Sequence, residues 1–209
     1  MGMNGALGGF YRVCEWTMKL VYVNVLWIAF TLLGFIALGI MPSTTSLYAI
    51  VRKWIMGEMD IPIFKTFWKT FRTDFIKANL IGFILLVIGI ILYVDILFFK
   101  SSVGIVYEVL LVLLLGLGLL YLITLMYIFP VFVHYRLTMI QYFKIALVIG
   151  ISNLQTTLMM VVGIGILYIL FCFLPGLVFL FSGVLLSFTF MWFAFKTFTK
   201  IDRLKQLVS

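Results

Sequence analysis

Cysteine, histidine and acidic side chains are scarce in this chain. Two cysteines, Cys14 and Cys172, stand apart with no Cys-x-x-Cys pair, and His134 is the single histidine. They cannot build a Cys/His zinc cluster, so no metal site is expected. His134 reads as an interfacial residue, having no Cys, His or acid at metal-ligand spacing. Catalytic signatures are absent as well: there is no Gly-x-Ser-x-Gly elbow, no phosphate loop and no His-Glu-x-x-His pair. The residues therefore name no catalytic group and no cofactor, and the chain reads as non-enzymatic. Charge is thin throughout. Asp, Glu, Lys and Arg make up 11% of the chain, against roughly a quarter in a soluble domain.

Apolar residues fill the space instead, at 65% of the chain. A soluble fold of this length could not hide so much apolar surface, whereas a bilayer removes the need to hide it. The formal charge of +8 comes from Lys and Arg placed between apolar runs, which suits the positive-inside bias and not nucleic acid. From Leu20 to Val51 there is no charge. That run is far longer than the roughly 7–15 residues of a signal-peptide core, so a retained span is expected.

A bilayer core of about 30 Å needs about 20 apolar residues of helix. Five segments qualify: Leu20 to about Met41, Ala78 to Phe99, Val103 to Val133, Asn153 to Phe173, and Leu177 to Phe195. Pro175-Gly176 divides the last two. Helices are required because lipid leaves each backbone N–H and C=O to find a partner within its own segment. The expected fold is a single all-α transmembrane bundle over residues 1–209. With five crossings, the loop Arg52 to Lys77, the loop holding Arg136 and Lys144, and the tail from Lys196 share one side. Most Lys and Arg fall there, so the N-terminus is expected outside and the C-terminus in the cytoplasm. Arg12 and Lys19 run against this assignment.

The cytoplasmic side carries a helical pattern. Asp60-Ile61-Pro62 reads as a helix start. Phe64, Phe67, Trp68, Phe71 and Phe75 then form one stripe, with Lys65, Lys69 and Arg72 on another face. Two readings stand: an interfacial support helix with its aromatics in lipid, or a docking surface for a cytoplasmic partner. Leu47, Ile50, Val51, Trp54 and Ile55 form a second amphipathic face, with a cap expected at Ser43 or a following Thr and an end at Gly57. Leu7, Phe10, Tyr11, Cys14 and Met18 form a third, expected on the outer surface.

Within the spans, Asp95 and Glu108 are the only acids. A hairpin near Ser101 and Ser102 would bring them to similar depth. There they either bind a proton or cation together or reach interfacial water, with Lys100 as a partner. Ser152, Asn153, Gln155, Thr156 and Thr157 form the densest neutral polar cluster, suited to helix packing or to lining a solute path. Under this topology Cys14 and Cys172 fall on the same side, which leaves a disulfide open. An internal duplication is also suggested: Asn79-Leu80, Val87, Gly89 and Ile90 return as Asn153-Leu154, Val161, Gly163 and Ile164. The two units would cover 20–99 and 103–173, with 177–195 appended.

The residues Gly39-Ile40-Met41-Pro42-Ser43-Thr44-Thr45-Ser46-Leu47-Tyr48-Ala49-Ile50-Val51-Arg52-Lys53-Trp54, followed by Phe67-Trp68-Lys69-Thr70-Phe71-Arg72-Thr73-Asp74-Phe75, resemble the YesL-like family of small membrane proteins of Gram-positive bacteria. Gly8-Gly9-Phe10-Tyr11 and Glu15-Trp16 fit it too. Members are often encoded beside carbohydrate ABC-transport genes. The resemblance thus implies a bacterial multi-pass protein accessory to carbohydrate uptake, with ABC-transporter subunits as partners and no catalytic residues to carry over. The intramembrane polar groups motivate a second reading, a small transporter or channel acting as a homo-oligomer.

Overall fold

The computed structural model describes residues 6–101 and 104–208. Residues 1–5, Ser102, Val103 and Ser209, with the side chains of residues 6, 7, 10 and 204–208, lie outside that part. Among the described residues the regular structure is helical: α1 Ala6–Leu33, α2 Ile40–Ile55, α3 Ile63–Ser101, α4 Ile105–His134, α5 Met139–Ser152, α6 Leu154–Phe173 and α7 Gly176–Val208. Five of them, α1, α3, α4, α6 and α7, are long and apolar enough to cross a membrane. Large apolar side chains such as Leu86, Ile90, Leu113, Val162 and Phe179 point outward. That is the arrangement of a bundle solvated by lipid, and the chain is a multi-pass membrane protein.

The first span departs from expectation. The run from Leu20 to Met41 is broken at residues 34–39, where the chain reverses between α1 and α2. Gly34 and Gly39 permit the reversal because they touch. A Cβ on Gly34 would strike the Gly39 backbone, and one on Gly39 would strike the carbonyl oxygens of Phe30 and Thr31. Phe35 and Ile36 between them take positive φ of 53° and 62°. The segment of Tyr11, Cys14 and Met18 is no separate surface helix but the opening of α1.

The short helix α2 lies in the core. Its face of Leu47, Ile50, Val51 and Trp54 is buried by neighbouring helices and does not lie on a surface. It starts at Ile40, ahead of the expected cap, and the Thr45 and Ser46 hydroxyls donate back to the Pro42 carbonyl at 2.9 and 2.8 Å. Gly57, at φ 93°, follows its end as the sequence suggests. Helix α3 begins directly after Pro62, while Asp60 turns to Lys19 at 3.6 Å instead of capping. It then runs unbroken for 39 residues, about 58 Å, so the amphipathic segment and the second span are one rod.

Asn79 and Asn153 make the same bond, each side-chain amide donating to the carbonyl four residues earlier, at 2.9 and 3.1 Å. Around the prolines the two suggested units differ. Pro42 sits in the first turn of α2, whereas Pro130 lies inside α4. Asn79 lies within a continuous helix, whereas Asn153 stands between α5 and α6.

Contacts between helix ends fix their relative direction. Trp16 meets Trp54 at 5.5 Å, so α1 starts where α2 ends. Arg52, His134 and Asp202 lie together, so α4 and α7 end there too. The early turns of α1 and the late turns of α7 therefore share one end of the bundle, contrary to the opposite sides expected from five crossings.

Candidate functional site

The first turns of α3 are organised around Phe30. Its ring lies 5.1 Å from both Phe67 and Phe71, 5.5 Å from Trp68 and 6.3 Å from Phe64. Phe67 and Phe71 are buried, and Phe64 and Trp68 are about half exposed. The stripe read from the sequence is thus largely a protein contact, clamping the first turns of α3 to α1. Once that face is fixed, Lys65, Lys69 and Arg72 must point away, and all three are exposed. Among the described residues no ion pair holds any of them.

A second group gathers residues far apart in sequence. Arg52 Nε donates to His134 Nδ1 at 3.1 Å, and His134 Nε2 faces the Asp202 carboxylate at 3.7 Å. Because the arginine must donate, Nδ1 accepts and the imidazole proton sits on Nε2, toward the acid. The Tyr135 hydroxyl donates to Asp202 at 3.5 Å. Burial, and next the neighbouring carboxylate, push the Tyr135 hydroxyl up to about 12. The group ties α2, α4 and α7 together. Beyond it, Lys196, Thr199, Lys200 and Arg203 line a groove of about 330 Å³ on α7, with the Lys196 ammonium 3.4 Å above the Trp192 ring. Such an end can receive an acidic partner or anionic headgroups.

The intramembrane candidates do not converge. Asp95 and Glu108 lie near the far tip of the α3–α4 hairpin, where Phe99 meets Tyr107 at 6.1 Å. Glu108 is exposed and Asp95 partly so, and no hydrogen bond or ion pair joins either to Lys100 among the described residues. Asn153 bonds within its own turn. Thr157 is the buried member of its cluster, held by Gly150 O at 2.9 Å and Tyr127 Oη at 3.1 Å. Gln155 faces outward beside a shallow groove with Leu158, Met159 and Val162. Tyr121 reaches Leu85 O, which sets the register of α3 on α4. By helical rise, Asp95 then lies about 24 Å along the bundle from the Tyr127–Thr157 contact. Cys14 and Cys172 are free and belong to opposite ends, since α6 finishes where α7 starts. Among the described residues no three His, Cys, Asp or Glu assemble as for a metal.

Residues 20–96 match the family described as "Protein of unknown function, DUF624". Three proteins of Bacillus subtilis (strain 168) are similar over nearly the whole chain. "Uncharacterized protein YteU" is 37% identical, over 97% of this chain and 91% of its own length. "Uncharacterized protein YesV" is 38% identical over 92% of both. "Uncharacterized protein YesL" is 30% identical over 96% and 95%. The chain belongs to this YesL-like, DUF624 family. No solved structure matches it.

The DUF624 match takes in Asn24, the Phe30 hub, Arg52 and the α3 cations Lys65, Lys69 and Arg72. His134, Asp202 and the α7 groove lie beyond it. Sequence reading missed Asn24, which is fully buried and bonded to α7. Its signal was available: it is the one amide in the charge-free run from Leu20 to Val51.

Proposed function

We propose that this DUF624 protein is a non-enzymatic accessory of the bacterial cell membrane whose basic end, facing the cytoplasm, docks a protein partner. The observation that carries the reading is the clamp on Phe30. Because Phe67 and Phe71 are buried against α1, lipid is not needed to hold this part of α3, and the free cations Lys65, Lys69 and Arg72 stand on a rigid support. Cations fixed on a rigid helix suit recognition of an acidic surface. Carbohydrate ABC-transporter subunits are the partner class to test, on the family resemblance alone.

The test changes Lys65, Lys69 and Arg72 together to Gln. The aromatic clamp is untouched, so abundance and membrane insertion should match the wild type. Affinity purification from native membranes should then lose its acidic partner. An unchanged set of co-purifying proteins at normal abundance refutes docking through this face.

The transporter reading has less support. Its polar groups are separated along the bundle, and Asn153 and Thr157 are bonded within the protein. Gln155, exposed on α6, is the feature that favours self-association. Solute flux through the purified protein alone in liposomes would reinstate this reading.

A further inference from the structure

The turn between α1 and α2 combines apolar exposure with an internally bonded backbone. Leu32, Leu33, Phe35, Ile36 and Leu38 point outward, Phe35 with 89% of its surface free. Residues 34–39 carry no charge. Yet the N–H groups of Gly34, Phe35, Ile36, Ala37, Leu38 and Ile40 donate to carbonyls within the turn or the adjoining end of α1, leaving that of Gly39 as the exception among the described residues. The Leu38 carbonyl accepts from Asn79 Nδ2 at 3.0 Å. A turn in water could leave these groups to solvent and would not display five large apolar side chains. A turn in hydrocarbon must close its own hydrogen bonds.

Measured along α3, the turn falls short of the far side. It is level with Asn79, and Met41 packs on Gly82. From Gly82, α3 continues to Ser101, about 28 Å further. That remainder is close to the whole thickness of a hydrocarbon core. Helix α2 then carries the chain back to Arg52 and the basic end. At that end Lys19 pairs with Glu15 at 2.7 Å and reaches Asp60.

We infer that the α1–α2 hairpin is re-entrant, with its tip seated among the acyl chains of the cytoplasmic leaflet. The crossings are then α3, α4, α5 with α6, and α7, and both ends of the chain face the cytoplasm. Charge agrees independently. Every Lys and Arg from Arg12 to Arg203 except Lys100 comes to one side, so Arg12 and Lys19 no longer oppose the positive-inside bias.

The inference shares with the proposed function the assignment of the basic end to the cytoplasm, and the test separates the two. Cys14 and Cys172 are first changed to Ser, and single cysteines are then introduced as R12C, F35C, K100C and K200C. K200C reports which side the basic end faces; R12C compared with K200C reports whether the α1–α2 hairpin returns to the side it starts from, and F35C reports how deep its tip goes. In intact cells and inverted vesicles, an impermeant maleimide should label R12C and K200C from the same, cytoplasmic, side and K100C from the other. F35C should resist labelling from both sides. A fluorophore on it should be quenched by lipids brominated or doxyl-labelled on their acyl chains. L38C replaces F35C if that variant fails to accumulate. R12C and K200C labelled from opposite sides would overturn the re-entrant hairpin while leaving the docking face intact. F35C labelled from water would place the tip outside the lipid. F35C reached by neither reagent nor lipid quencher would mean that protein, a second copy or a partner, covers the tip, and would equally overturn the proposal.

Discussion

Asn24 offers the sharpest test of how the helices are held. It has no exposed surface, and its amide works in both directions on one stretch of α7. Nδ2 donates to Phe179 O at 2.8 Å, and Oδ1 accepts from Val184 N at 3.1 Å. Gly183 lets α7 come this close, since a Cβ there would lie 3.0 Å from Asn24 Oδ1 and 3.1 Å from the Trp27 ring. Replacing Asn24 with Leu keeps the branching at Cγ and removes both bonds. A buried hydrogen bond contributes about 1 kcal/mol net, and a buried group left without a partner costs about 1–3 kcal/mol. Bonds between membrane helices average only about 0.6 kcal/mol, because the unfolded chain in lipid finds other partners. Two bonds in a fully closed site, with a backbone donor and a backbone acceptor facing methyl groups, bring the expected loss to about 2–4 kcal/mol.

The assay is reversible unfolding of the purified protein in mixed detergent micelles, followed by tryptophan fluorescence, to which Trp27 at the Gly183 contact contributes. Asn153→Leu is the control. Among the described residues its side-chain amide bonds only to Ile149 O, in the last turn of the helix just before it, so its loss should stay below about 1 kcal/mol. Equal losses for the two variants, or a loss below about 0.5 kcal/mol for Asn24→Leu, would refute the claim that Asn24 fastens α1 to α7.

Other expectations follow from the same contacts. Ser43 is fully buried and its hydroxyl has no partner among the described residues, so Ser43→Ala should be neutral or stabilising by up to about 1–2 kcal/mol in the same titration. Gly39→Ala should severely lower folded yield, because the new methyl meets two carbonyl oxygens that cannot move without opening the turn. Gly57→Ala, in open space but at φ 93°, should cost only about 1 kcal/mol. Because the folded Tyr135 hydroxyl titrates at about 12, above its ordinary 10.0, the folded state binds more protons between those values. Its contribution to stability is therefore complete below pH 10 and is lost as pH rises toward 12; Tyr135→Phe should remove that part of the alkaline fall.

The sequence reading went furthest where a property belongs to one segment. Apolar length located α4, α6 and the outer half of α3, and Pro175-Gly176 divided α6 from α7. It went less far where the answer depends on a neighbour. A stripe at helical spacing says that Phe67 and Phe71 need covering but not by what, since lipid and Phe30 are equally apolar. Run length likewise measures apolarity alone, so a hairpin that turns back inside the run looks the same as one crossing. The pair Gly34 and Gly39 was the visible cue, and its meaning depends on the two backbones touching. His134 and Asp202 carry no spacing signal, because 68 residues of chain separate them.

Charge placement supplies a check that does not depend on side-chain packing. If α1 crosses as the first of five single spans and α2 does not return, Arg12 and Lys19 stand with Lys100 on the side that should be poor in cations. If the chain turns back at Gly34–Gly39, they join the other basic residues, and no further adjustment is needed. The two arguments draw on different residues. One uses the hydrogen bonds of an uncharged turn, and the other uses cations more than ten residues away from it. Asn79 links them. It closes the Leu38 carbonyl at the tip, and it sits two residues beyond Lys77, where the charged part of α3 gives way to its apolar part. The tip is thereby held just inside the boundary between headgroups and acyl chains. A shallow hairpin at that depth can be fully apolar on its outer surface while both of its ends remain in water.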